Sequence, residues 1–285
     1  MAVPAAADSA AAGLRVEVVG PVATIRLSGS GDPGSLGSLG SALDDAQRNM
    51  GGDVRVAVLR VGGPDPSAAD AADAAAGPPG AAMNTPIASS PARADPASLI
   101  GGYRVWREAL ERLTMRADLI SVAAVAEVTE DVGTALAVAC DLRIFAADAG
   151  LNPVWARCGL LPAAGALTRL AELVGWSRAF DLCLTGGQPL GAAEAARLGL
   201  AQRLVPRLRL DDEVDSVVAG LLAASRAVTA EVKALLRGAR PAGRSAVSTR
   251  AMAGADHRDL PDAEGEAWAR TLFDLLDASR GIAAG

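Results

Sequence analysis

Hydrophobic and polar positions alternate with a period of two in VEVV (16–19) and VATIRL (22–27), and the Gly20-Pro21 pair between them predicts an antiparallel hairpin. LGSALDDAQRNM (39–50) changes to helical spacing, which Gly51-Gly52 ends. VRVAVLRV (54–61) alternates again and predicts a strand with one buried face. Tyr103, Trp106, Leu110 and Leu113 recur every three or four residues and mark the inner face of another helix. LISVAAV (119–125) is almost continuously apolar, as suits a strand covered on both sides.

Further along, the pattern predicts a helix from about Gly133, a strand at LRIF (142–145), helices over 164–174, 176–184 and 190–198, and a strand at AQRLV (201–205). Helices dominate from Leu208, the last of them amphipathic over 263–278. Strand and helix in alternation argue for an α/β core with a helical C-terminal part. The pattern lapses over 62–96, rich in Ala, Asp, Gly and Pro, which is either a mobile active-site loop or partly disordered. The expected organisation is a flexible N-terminus (1–13), a core (14–206) and a helical C-terminal segment (207–285).

Composition refines this picture. The chain has 285 residues, enough for a large core, and its 51% hydrophobic content with only 3% aromatics points to closely packed helices with small side chains between them. Net charge is −6 with scattered basic residues, so nucleic acid is not an expected partner. Cys140, Cys158 and Cys183 are widely spaced, lack a CxxC pattern and read as small hydrophobes in a reducing compartment. MAVPAAADSAAAG at the N-terminus lacks the basic flank and apolar core of a signal peptide, and no apolar run reaches the ~18 residues of a membrane span, so a cytoplasmic location without membrane contact is expected.

Two motifs carry little chemistry. Gly29-Ser-Gly-Asp-Pro-Gly34 satisfies G-x-G-x-x-G, but Asp53 precedes its strand where a ribose-binding acid would follow it, and a hairpin comes first; a glycine-rich turn is the better reading. His257, the lone histidine, sits among charged residues without a serine or cysteine motif to serve, and no metal-ligand spacing is present. Glu127, Glu130 and Asp131 form a local acidic group, which is more often a solvated loop than a site.

Four stretches then occur in a characteristic order: CDLRI (140–144), GLLPAAGALTRL (159–170), VGWSRAFDLCLTG (174–186) and LGAAEAARLGLAQRLVP (190–206). Together they resemble the crotonase family, the enoyl-CoA hydratases and isomerases. VEVVGPVATIRL, DVRVAVLRVGG and, near the C-terminus, LFDLLDASRGIAA extend the likeness. The resemblance implies an α/β fold, a crotonase-like spiral of ββα units with a helical C-terminal oligomerisation segment that packs homotrimers or hexamers. It implies an acyl-CoA or acyl-carrier thioester as ligand, with no separate cofactor. It also implies two backbone N–H groups that hold the thioester oxygen as negative charge grows on it, one of them at a helix N-terminus where the dipole assists.

In register, the family's triple glycine falls on Asp131, Val132 and Gly133, making Val132 one N–H donor. The second falls on Asp70, or on Ala69 after a one-residue slip, within PDPSAADAADA (64–74). The two glutamates that hydratases use for proton transfer fall on Ala135 and Trp155, neither of which can transfer a proton in this role. Losing such a group removes ~10²- to 10⁴-fold. Trp155 also adds bulk to the substrate pocket, and Asp131, Glu130 and Asp70 remain as proton handlers. The bland alternative is that Thr129, Glu130 or Asp131 caps a helix starting near Gly133. Two functional readings follow: a thioester-binding enzyme of enolate chemistry independent of the glutamates, or a catalytically inactive binding or scaffolding subunit.

Overall fold

The computed structural model describes residues 7–9, 13–27, 35–62, 96–129, 131–152, 166–184, 189–238 and 273, with the backbone alone at Ala7, Asp8, Ser9, Pro96, Ala97, Asp131 and Gly238. Its centre is a seven-stranded sheet in the order β1-β2-β3-β4-β5-β7-β10. The strands are β1 (Ala7–Ser9), β2 (Leu14–Val19), β3 (Val22–Leu27), β4 (Val56–Val61), β5 (Ile120–Val125), β7 (Leu142–Ala146) and β10 (Arg203–Val205). The first three pair antiparallel, and from β3 to β10 every pairing is parallel. The predicted hairpin is β2–β3, in register from Leu14↔Leu27 to Val19↔Val22. β1 lies within the stretch expected to be a flexible start, and pairs Ala7 with Val16.

Helix α1 (Leu36–Asn49) packs on α2 (Pro96–Met115). Small residues allow their close approach, since a Cβ on Gly40 would stand 2.6 Å from the Trp106 backbone nitrogen. Tyr103, Trp106, Leu110 and Leu113 are all buried, as their spacing predicts.

Strand β4 departs from expectation. It is not half-exposed: Val56, Ala57, Val58, Leu59 and Val61 are all buried, and Arg60 alone is partly open. The alternation of arginine misleads because Arg60 reaches across to Asp211 of α7 (Leu210–Ala223), so the polar face is covered by a helix.

After β5, the two-residue strand β6 (Val128–Thr129) leads into α3 (Asp131–Ala139). The helix therefore starts two residues before Gly133. β6 pairs parallel with β8 (Gly150–Leu151), and β8 antiparallel with β9 (Leu190–Gly191), forming a second sheet of three strands. α4 (Ala166–Val174), α5 (Trp176–Leu184) and α6 (Ala192–Arg197) follow near their predicted places.

α8 (Arg226–Gly238) inverts the usual arrangement. Its inner side is polar: Lys233 donates to Leu119 O at 2.5 Å and Asp141 Oδ2 at 2.6 Å, Arg226 to Asp118 at 2.5 Å and Gly52 O, and Arg237 to Thr114 O. Val228, Val232, Leu235 and Leu236 are exposed. The expected helix over 263–278 lies outside the described residues except Phe273, which packs against the core. Residues 63–95 of the stretch expected to be a mobile loop or partly disordered, the G-x-G-x-x-G stretch, Cys158 and His257 also lie outside them. Among the described residues, no helix is long and apolar enough to cross a membrane.

Candidate active site

Helix α3 begins where the finishing ends of β4 and β5 meet the small sheet. Its nine residues, DVGTALAVA, are mostly alanine and valine, which lets it bury nearly all of its length against α2, α4, β4 and β5. The first backbone N–H groups of any helix lack intrahelical partners and carry the positive end of its dipole. In α3 that turn contains Asp131, Val132 and Gly133. Val132 is buried and joins the hydrophobic core.

Gly133 is fixed by packing. A Cβ there would stand 1.8 Å from Thr129 Oγ1 and 2.8 Å from Val61 Cγ1, so α3 approaches the end of β4 at a distance only glycine permits. The Thr129 carbonyl accepts the Asn152 N–H at 2.8 Å and the Thr134 hydroxyl at 3.3 Å. Thr129, Thr134 and Asn152 are all buried and place a polar corner beside the helix start. From sequence, Thr129 is a candidate only as a helix cap, and Thr134 and Asn152 do not stand out. The available signal was three hydrogen-bonding residues among apolar neighbours, which is uninformative until the short strands β6 and β8 bring them together.

The sequence-derived candidates divide as follows. Val132, Gly133 and Ala135 lie together on α3, and Ala135 is 1% exposed within the core. The Asp131 backbone opens the same helix. Glu130, Trp155, Asp70 and Ala69 lie outside the described residues. Glu127 points elsewhere: its carboxylate accepts from Arg207 at 3.3 Å, and Arg207 also donates to Asp148 at 2.8 Å. The Arg207 guanidinium holds the Asp148 carboxyl below the usual carboxylate range, and the two acids raise Arg207 in turn. This half-exposed pairing bears out the solvated reading for Glu127.

Among the described residues, no three potential metal-ligating side chains converge. Cys140 and Cys183 are both buried. Burial pushes the Cys140 thiol up to about 12, so it carries no nucleophilic role.

What this helix start can do is electrostatic. An oxygen that gains negative charge, placed at donors held in a water-poor setting, is stabilised by ~3 kcal/mol per donor. Valine at the middle position retains the backbone N–H.

The family model for enoyl-CoA hydratase/isomerase matches residues 101–256, more than half of the chain. A Mycobacterium leprae protein named as a probable enoyl-CoA hydratase is 38% identical over 112 residues, 39% of this chain and 43% of that protein. The chain spans less than two thirds of the length of the curated relatives it matches. Among solved structures, a Thermobifida fusca YX protein assigned as an enoyl-CoA hydratase, in complex with acetoacetyl-CoA, superposes with a TM-score of 0.63 at 32% identity, covering 85% of this chain and 93% of that one. A structure of an enoyl-CoA hydratase assigned in the same organism, in complex with CoA, gives 0.63 at 29% identity over 96% and 95% of the two chains.

Proposed function

The chain belongs to the enoyl-CoA hydratase/isomerase family, and on that premise we propose that it binds an acyl thioester, on CoA or an acyl carrier, with the carbonyl oxygen at the first turn of α3. The observation that carries this reading is the position of Val132 in that turn, beside a glycine packed against the end of β4. The acetoacetyl-CoA held by the Thermobifida fusca neighbour supports the ligand class.

The chemistry is enolate formation without the hydratase glutamates, as in isomerisation or decarboxylation within lipid or polyketide metabolism. Ala135 supports this limit: a buried methyl group occupies one proton-transfer position of the family register. Trp155 occupies the other, and Asp131, Glu130 and Asp70 are the carboxylates left to move protons. Val132 N–H is one oxyanion donor, and the N–H of Asp70 or Ala69 is the second. The thioester itself is the only small molecule the reaction requires. The protein acts in the cytoplasm, where its buried thiols stay reduced.

The competing reading, an inactive scaffolding subunit, is favoured by the same Ala135. Titration with acetoacetyl-CoA and CoA, followed by assays with crotonyl-CoA and β,γ-unsaturated thioesters, separates the two. Binding with isomerase but no hydratase turnover is the expected result. Binding without any turnover favours a sensor or scaffold, and absence of binding removes the thioester reading.

Self-association belongs to the same proposal. Val228, Val232, Leu235 and Leu236 form an outward apolar row on α8, and burying such a row excludes water from it. A trimer or hexamer in light scattering, reduced to smaller species by Leu235→Glu/Leu236→Glu, is the expected behaviour; a wild-type monomer would refute it.

A further inference from the structure

Thr129 stands between two parts of the site that must keep a fixed separation. On one side is the first turn of α3; on the other is Val61, the last residue of β4. The Thr129 hydroxyl fills the place of the missing Gly133 side chain, 1.8 Å from where that Cβ would be, and Val61 Cγ1 closes the same space at 2.8 Å. Two bonds to its carbonyl, from Asn152 N–H at 2.8 Å and Thr134 Oγ1 at 3.3 Å, hold the residue on both the strand and helix sides. The parallel pairing of Thr129 with Leu151 prevents it from sliding along the small sheet.

We propose that Thr129 is a positioning residue: its side chain is a spacer that sets the gap between the start of α3 and the end of β4, and so the place of the Val132 N–H. The inference rests on the acyl-thioester reading. The physical reason is the narrow range over which such a donor works. A donor must lie 2.7–3.1 Å from the developing oxyanion, and misplacement by about 1 Å costs on the order of 10²-fold. Because the role is steric, a side chain of similar bulk should substitute for threonine, and one without atoms beyond Cβ should not.

Acetoacetyl-CoA provides a readout that stability alone does not move. This 1,3-dicarbonyl thioester loses a Cα proton to solvent to give an enolate whose near-ultraviolet absorption differs from that of the keto form, and oxyanion donors favour the enolate. Plain CoA lacks the carbonyl and reports on the rest of the ligand. For wild type we expect both to bind, acetoacetyl-CoA more tightly and with an enolate band. Thr129→Ala should weaken acetoacetyl-CoA about 10-fold and reduce the band, with CoA affinity within about twofold. Thr129→Ser and Thr129→Val should keep both, which preserves the test if the alanine variant does not fold. Gly133→Ala should lose the band, and adding Thr129→Ala to it should recover part, because the atom it would strike is gone.

Equal weakening of CoA and acetoacetyl-CoA, or an unchanged band in a folded Thr129→Ala, would overturn the positioning role. So would loss of the band in Thr129→Val and Thr129→Ser. A wild-type chain that binds CoA and acetoacetyl-CoA equally, without an enolate band, refutes the positioning role but leaves CoA binding standing. One that binds neither removes the thioester reading, and this inference with it.

Discussion

Lys233 Nζ lies 2.6 Å from Asp141 Oδ2, joining α8 to the starting end of β7 through a mostly buried ion pair. The same carboxylate oxygen accepts the Ser121 N–H at 2.9 Å and its hydroxyl at 2.8 Å, so one acid ties together β5, β7 and α8. Burial pushes the lysine below its usual range, and Asp141 opposes that shift. The pair lasts because both partners are also hydrogen-bonded, which buried charges require.

Removing only the lysine should therefore be expensive. Lys233→Met is expected to lower the unfolding free energy by about 3 kcal/mol, since the acid is left facing fewer donors. Adding Asp141→Asn should recover about 1 kcal/mol of that loss in urea denaturation. Additive losses would show that the two side chains do not act as a unit.

Acid stability should depend on Asp118. The Arg116 guanidinium, 2.9 Å away, holds its carboxyl well below the usual carboxylate range, and Arg226 adds to this. A depressed folded value means that the stabilisation is complete above the unfolded value of about 4 and is lost as pH falls below it. Asp118→Asn should thus flatten the fall in stability below about pH 4 seen by circular dichroism. An identical acid limb in the variant would dismiss the clamp.

Cys140 should be inert in the folded protein. With its thiol raised to about 12 and no exposed surface, alkylation at pH 8 is expected only after denaturation. Mass spectrometry of the native, iodoacetamide-treated chain checks this, and rapid native labelling of Cys140 would contradict the burial.

Hydratase chemistry should be recoverable by restoring the residues the family register calls for. The triple variant Val132→Gly/Ala135→Glu/Trp155→Glu is expected to hydrate crotonyl-CoA at least ~10²-fold faster than wild type. Ala135→Glu alone should mainly destabilise, because it buries a carboxylate where a methyl group is 1% exposed. A folded triple variant without activity would count against the register.

Much of the central sheet is legible from local pattern. The β2–β3 hairpin and β5 follow from alternation and from an uninterrupted apolar run, and the inner face of α2 follows from helical spacing. What fails is whatever depends on a distant partner. Arg60 looks solvent-facing until Asp211 meets it, and the inward turn of the basic side of α8 depends on Asp118 and Asp141, far away in the chain. Strands of two residues, β6, β8 and β9, carry no periodicity at all. Their absence from the sequence reading hid the link between Thr129 and Asn152, and with it the corner on which α3 starts.

The charged clamp of Asp141, Ser121 and Lys233 grips the starting ends of β5 and β7, whereas the head of α3 sits over the finishing ends of β4 and β5. A six-residue strand separates these regions by roughly 20 Å. The clamp secures the architecture at one pole and the proposed thioester site lies at the other, so substitutions at the second can accumulate without loosening the first. Such a polarity makes this scaffold evolvable: reactive groups can be exchanged while the chain keeps its shape.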